Sequence, residues 1–274
     1  MTRGTRLAGL CLSISANAAL ASPVFLGTLG PRLLRTDGIN PAETFRLSDD
    51  IAAMAVGPDG TIWAASRSDD DRDGFREIYT LQDPLGPNPT LQFYGDFLAD
   101  FTSTITFVGD TLYGFQRNAV PDAQASRLVR IDLQNQTQSV VGQTGLVGAV
   151  MGGSGYDPQS DTLLMSSLII TDGLWDVDYA LQRGDDPSAT LVNEITTDIG
   201  NHGAEFFEGT YFMLAQLVNG PLVLGSLDPQ TAQFNPMQEL APRSDRVVSL
   251  VVLPEPNALG LLLAGLFLAT SRRR

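Results

Sequence analysis

The residues in this sequence best placed to do chemistry are acids at alternate positions. Ser68-Asp69-Asp70-Asp71-Arg72-Asp73-Gly74 sets Asp69, Asp71 and Asp73 two apart and follows them with glycine. Alternate carboxylates can wrap a hard cation such as calcium while a glycine permits the sharp turn. A bidentate Glu belongs at the twelfth position of such a loop, but Thr80 stands there and Glu77 is out of register. Two readings follow: a calcium site on Asp69, Asp71 and Asp73 within a β-hairpin, or a solvated acidic loop. Calcium is the one cofactor the sequence suggests.

His202 is the single histidine, so a multi-histidine zinc site is excluded, and any Ser-His-Asp arrangement has to use this residue. The run Asn201-His202-Gly203-Ala204-Glu205 places His202 and Glu205 just ahead of a strand, where they form a candidate pair. Asp172, Asp176 and Asp178 around Trp175 read as comparable loop residues. No nucleophile elbow, phosphate loop or dinucleotide fingerprint is present. The sequence therefore assigns no catalytic residue, and a non-enzymatic role is the leading expectation.

Charge narrows the choice of partner. All 17 basic residues are Arg, and with Glu255 and the five arginines near the termini set aside, 30 acidic residues face 12 Arg, a net charge near −18. Phosphate backbones attract proteins through Lys and Arg, so nucleic-acid binding is discarded. The only cysteine, Cys11, lies in the N-terminal apolar stretch, which leaves residues 22–274 without a disulfide or a thiolate metal site.

The termini carry address signals. Arg3 and Arg6 precede an apolar stretch from Leu7 to Leu20, and Ala19-Leu20-Ala21 supplies the small residues that a signal peptidase reads. Residues 1–21 are expected to be a signal peptide, with Ala19 and Ala21 setting the cleavage site. At the other end Pro254-Glu255-Pro256 leads into an apolar run from Ala258 to Ala269 and closes on Arg272, Arg273 and Arg274. Twelve helical residues rise only about 18 Å against a hydrocarbon core of roughly 30 Å, which makes this a short, marginal span. Terminal arginines would keep that end in the cytoplasm.

Pro-Glu-Pro, a short Leu/Ala/Gly-rich helix and a terminal Arg cluster resemble the PEP-CTERM sorting signal of Gram-negative bacteria. The match covers about the last 21 residues of the chain. The resemblance implies processing by an exosortase in cells that make extracellular polysaccharide. It also implies transient anchoring in the inner membrane through a short transmembrane helix, then a cell-surface or extracellular location. It says where the chain goes and nothing of what its body does.

The body, residues 22–253, reads as a repeat. A turn followed by Thr and apolar residues recurs at Thr61, Thr111, Thr162 and Thr210, spaced by 50, 51 and 48 residues. Each turn follows a strand candidate (Ile51 to Val56, Ile105 to Val108, Val150 to Tyr156, Ala204 to Phe207). A second hairpin follows, clearest around Asn135-Gln136 and Asp228-Pro229-Gln230. Four strands in roughly 50 residues describe a propeller blade. Leu33 to Leu47 looks like an outer hairpin without its inner partner, and Val247 to Leu253 like an inner strand without the rest. Joined, they complete a further blade. The expected fold is all-β, a β-propeller of about five four-stranded blades, with a β-sandwich or an open array of hairpins as the alternative. Trp63, Tyr113 and Tyr211 recur after the repeat turn and are expected to pack between blades.

The resulting expectation is an exported propeller that serves as an interaction or structural module. Its partners would be signal peptidase, an exosortase-type enzyme, the inner membrane and extracellular polysaccharide. The rival expectation, by fold analogy alone, is an extracellular calcium-dependent hydrolase or lactonase.

Overall fold

The computed structural model describes residues 22–67, 74–99, 102–116, 125–147, 151–167, 173–177, 189–241 and 249–254. Residues 23–253 form one compact body. Its strands build five four-stranded antiparallel sheets. Blade two contains β4 (Ile51–Val56), β5 (Ile62–Ser66), β6 (Phe75–Gln82) and β7 (Thr90–Ala99). Blade three contains β8 (Thr102–Val108), β9 (Thr111–Gln116), β10 (Ala125–Asp132) and β11 (Thr137–Val147). Blade four contains β12 (Met151–Asp157), β13 (Thr162–Ser167), β14 (Gly173–Val177) and β15 (Ala189–Glu194). Blade five contains β16 (Ile199–Phe207), β17 (Thr210–Leu217), β18 (Leu222–Leu227) and β19 (Phe234–Ala241). Blade one joins both ends of the body, with β20 (Ser249–Leu253) inside β1 (Val24–Thr28), β2 (Arg32–Thr36) and β3 (Glu43–Arg46).

The innermost strands make a closed ring, because β4, β8, β12, β16 and β20 each pack on the next and β20 returns to β4. Closure turns the innermost edge of each blade toward the axis and its neighbours, leaving the outermost strand as the edge that faces outward. The closing ladder runs from Val24 opposite Leu253 to Thr28 opposite Ser249. The four Thr-centred turns all fall between the first and second strand of a blade, as the spacing requires. The strand Val24–Thr28 has no turn signal before it, so the sequence pattern shows the first hairpin only from Leu33 and the structure adds a strand ahead of it.

Strands in the middle of the blades are apolar on both faces because each face meets a different neighbour. In β17, Tyr211, Met213 and Ala215 enter the cluster between blades four and five, while Phe212 and Leu214 enter the cluster between blades five and one. In β20, Val251 and Leu253 face blade two, and Leu250 and Val252 face blade five. Five such clusters fill the five interfaces. Trp63, Tyr113 and Tyr211 belong to three of them, so the aromatic repeat is packing. Trp63 meets Tyr94 edge-on with centroids 4.7 Å apart.

Near the axis the blades approach so closely that side chains do not fit. A Cβ on Gly153 would lie 2.2 Å from the Ala204 nitrogen, one on Gly155 2.4 Å from the Phe206 nitrogen, and one on Gly203 2.4 Å from the Ser249 carbonyl carbon. The obstacles are backbone, which cannot turn aside as a side chain can. Replacing Gly203 by Ala is expected to lower stability by about 1–3 kcal/mol through overpacking, read as a lower Tm. Gly60→Asn, in a turn at φ +84° with open space around it, should be nearly neutral because Asn tolerates that conformation.

Turns on the outer loops use aspartate as a local cap. The Asp37 carboxylate accepts the Asn40 and Ile39 N–H groups, Asp59 accepts Thr61, Asp132 accepts Asn135 and Asp228 accepts Gln230, at 2.7–2.9 Å. Those backbone hydrogen bonds hold all four carboxyls below the ordinary value of 3.8. A depressed folded-state pKa gives stability that is complete above the unfolded value and is lost as pH falls through the folded one. Thermal unfolding followed from pH 5 to pH 2 should therefore show Tm falling below about pH 4. Asn at these four positions, which still accepts the hydrogen bond but does not titrate, should flatten that fall.

Candidate functional site

β16 carries both of the titratable residues singled out at the centre of the molecule, and it does not bring them together. His202 and Glu205 lie inside the strand rather than ahead of it. They are three residues apart, and side chains in a strand alternate, so an odd separation sends them to opposite faces. His202 turns toward blade four, where its ring occupies the place that a Cβ on Gly152 would take. Glu205 stands opposite Phe212 of β17, on the face that packs against blade one. The expected His202–Glu205 pair is therefore not formed, for a reason that lies in the strand itself.

What His202 meets instead is a serine. Its Nε2 lies 2.6 Å from the Ser166 Oγ on β13. The Ser166 hydroxyl donates to the Gly153 carbonyl at 3.2 Å, and the Tyr211 hydroxyl donates to the same carbonyl at 3.3 Å. The short contact is one hydrogen bond whose direction follows the imidazole tautomer, and the other ring nitrogen is Nδ1. That nitrogen is buried and has no hydrogen-bond partner. Desolvation lowers the His202 pKa to about 4, against a small opposing effect of the Gly200 backbone, so the ring is neutral at pH 7.

A serine and a histidine at this distance are the core of a nucleophilic dyad, but that chemistry also needs a substrate to reach the hydroxyl. Ser166 is 0% exposed and His202 2% exposed, so no substrate carbonyl reaches the hydroxyl. Chemically the cluster is a buried hydrogen-bonded tie between blades four and five. It has counterparts at other joints. Thr104 meets Ser154 at 2.9 Å between blades three and four. The Ser249 Oγ accepts the Met54 N–H at 2.7 Å between blades one and two.

Glu205 is the more unusual group. It is half-buried, yet it sits deep in the ring, and desolvation pushes its carboxyl from 4.5 up to about 8, opposed by a hydrogen bond from the Phe206 backbone. At pH 7 it is largely protonated. Its nearness adds to the burial that raises the Tyr211 hydroxyl. No sequence signal marks a carboxyl of this kind, since its burial comes from the blades packed around β16.

The calcium candidates Asp69, Asp71 and Asp73 lie outside the described residues, between β5 and β6 of one hairpin. Glu77, the acid nearest to them in β6, accepts the Ser66 hydroxyl at 2.6 Å. Among the described residues no cluster of His, Cys, Asp and Glu is arranged to hold a metal ion. Asp172 and Asp178 also lie outside the described residues, whereas Trp175 and Asp176, expected in a loop, belong to β14. The signal residues Ala19 and Ala21 and the tail residues Glu255, Pro256, Arg272, Arg273 and Arg274 lie outside them too, and Pro254 follows β20 directly. Among the described residues no helix is long and apolar enough to cross a membrane.

No family model matches the chain, and no curated protein does. Solved structures do share its fold. A GH43 glycoside hydrolase engineered to display both endo-xylanase and exo-arabinofuranosidase activity is 10% identical at a TM-score of 0.51, over 86% of this chain and 54% of that one. An auxiliary nutrient binding protein from Bacteroides thetaiotaomicron VPI-5482 is 9% identical, TM-score 0.49, over 86% and 67%. A gluconolactonase from Xanthomonas campestris is 10% identical, TM-score 0.47, over 82% and 84%. The chain spans about half the length of the hydrolase, and at these identities the likeness is one of propeller-like fold alone.

The raised Glu205 pKa has a defined effect on stability. A carboxyl that keeps its proton longer when folded makes stability fall as pH rises from its unfolded to its folded value, here from 4.5 to about 8. Glu205→Gln removes this slope, so its Tm relative to the parent should climb across that interval and level off above it. The lowered His202 pKa acts in the opposite direction below pH 6.5, and does so in both proteins.

Proposed function

We propose that this chain is an exported propeller of a Gram-negative cell, anchored for a time in the inner membrane through residues 254–274 and released to the cell surface or the extracellular matrix as an interaction or structural module. The observation that carries the reading is the order of features at the two ends. A basic, apolar and small-residue leader stands before β1, and Pro254-Glu255-Pro256, an apolar run and three arginines stand after β20. Signal peptidase, an exosortase-type enzyme and extracellular polysaccharide are the partners this reading names.

The body supports a module rather than an enzyme in two respects. The one Ser–His contact among the described residues is sealed between blades. His202 and Glu205, on which a hydrolase or lactonase could otherwise draw, face different blades. A calcium-dependent version of that activity rests on Asp69, Asp71 and Asp73. A calcium titration of thermal stability decides it: binding raises Tm in the parent and not in Asp71→Asn.

Sorting is tested in an exosortase-bearing host by expressing the full chain and a variant with Ala at Pro254, Glu255 and Pro256. The parent should lose the mass of its tail and leave the membrane fraction, while the variant should stay there at the mass of the uncut chain. Identical mass and location for the two would overturn the proposal.

A further inference from the structure

The outer hairpin of blade one holds an arrangement that its charge does not explain. Arg32 of β2 and Arg46 of β3 are direct cross-strand partners. Residues directly opposite in an antiparallel pair have Cβ atoms roughly 5 Å apart, and like charges there are destabilising. Both arginines are exposed. Neither has an ion-pair partner among the described residues, where the one salt bridge joins Arg35 to Glu43.

That salt bridge lies on the same two strands and shows how the hairpin satisfies an arginine. Arg35 stands opposite Glu43 in the ladder, pairs with its carboxylate, donates to the Gly86 carbonyl at 2.9 Å and lies 4.5 Å over the Phe45 ring. At the other end of the hairpin, arginine faces arginine. In a body with 30 acidic residues against 12 Arg, a pair of unmatched guanidinium groups is a departure from the general charge.

The two arginines border a common recess. Pro31, Arg32, Thr44, Phe45 and Arg46 line one concavity on this hairpin. Thr44 adds a hydroxyl that can donate, and each guanidinium brings five donors in a planar fork with no acceptor. Donors of this kind, without a protein acceptor among the described residues, match the oxygens of a carboxylate or a phosphate group, which Arg binds in bidentate fashion. The ladder also fixes where the recess opens. Arg32 precedes Leu33, the partner of Thr28, and Thr28 pairs with Ser249, so the recess lies at the end of the blade where β20 begins, away from Leu253.

We propose that Arg32 and Arg46, with Thr44 beside them, form an oxyanion-binding clamp that takes a carboxylate or phosphate group of an external ligand. Bound between the two forks, the anion turns a repulsive cross-strand pair into a bridged one. The clamp is independent of the sorting proposal and stands or falls separately from it.

The probes are galacturonate and inorganic phosphate, each compared with chloride at matched ionic strength so that screening is held constant. Residues 22–254 of the parent and of Arg32→Gln/Arg46→Gln are compared as the released body of the full chain. Saturating probe should raise the parent's Tm by about 2–4 °C and leave the double variant unmoved. In chloride alone the double variant should melt no lower than the parent, since only repulsion has been removed. A shift with galacturonate alone identifies a carboxylate ligand, and one with phosphate alone a phosphoryl ligand. An equal shift in parent and variant, or none beyond chloride for either probe, overturns the clamp. Should the double variant not fold, calorimetric titration of Arg46→Lys decides the same question: a point charge without the fork should bind at least tenfold more weakly, and unchanged affinity refutes the assignment.

Discussion

The structure depends on how closely five inner strands can approach one axis. At that radius neighbouring backbones come within the reach of a single methyl group, and the chain answers with Gly152, Gly153 and Gly155 on β12, Gly203 on β16 and alanines along β4. Their small size lets the ring close, and closure permits each remaining strand to bury both of its faces against a different neighbour. It also explains the irregularities in register. β4, β8, β12 and β16 each carry a shift against their second strand near the point where they begin, where a bulge adds twist and bends the strand.

The same crowding decides the fate of the polar residues. A hydroxyl or an imidazole near the axis has no water to turn to, and an unpaired buried polar group costs on the order of 1–3 kcal/mol. Several therefore bind across to the next blade: Thr28 to the Ile51 carbonyl, Thr104 to Ser154, Ser249 to Met54, and His202 with Tyr211 to Ser166 and Gly153. Residues that look reactive in sequence thus serve as inter-blade ties. The Ser167 hydroxyl and the His202 Nδ1 lack a hydrogen-bond partner, and the fold disfavours charge on His202 and Glu205 by lowering one pKa and raising the other. At pH 7 His202 is neutral and Glu205 largely so, which is how closely packed blades tolerate titratable groups between them.

Charge on the outside follows another logic. Carboxylates sit at outer turns such as Asp37, Asp59, Asp132 and Asp228, where each caps its own backbone and needs no cationic partner. Acidity of this sort keeps a protein soluble without creating a site. Against that background two arginines facing each other across one hairpin are the local exception.

The sequence by itself determined the all-β class, the repeat of roughly 50 residues, the turns at Thr61, Thr111, Thr162 and Thr210 and the joining of both ends of the body into one blade. These are local or periodic signals, carried by turn residues and alternation that any stretch of chain displays without help from the rest. The tertiary structure alone decided which side chains meet. The separation of His202 from Glu205 follows from strand parity once β16 is known to begin at Ile199, and the meeting of His202 with Ser166 joins residues 36 apart. Arg32 and Arg46 become neighbours only when the register of β2 and β3 is fixed, and Glu205 acquires its raised pKa only when folding buries it. Proximity between distant residues is set by ring closure, a property of the whole chain that no single segment encodes.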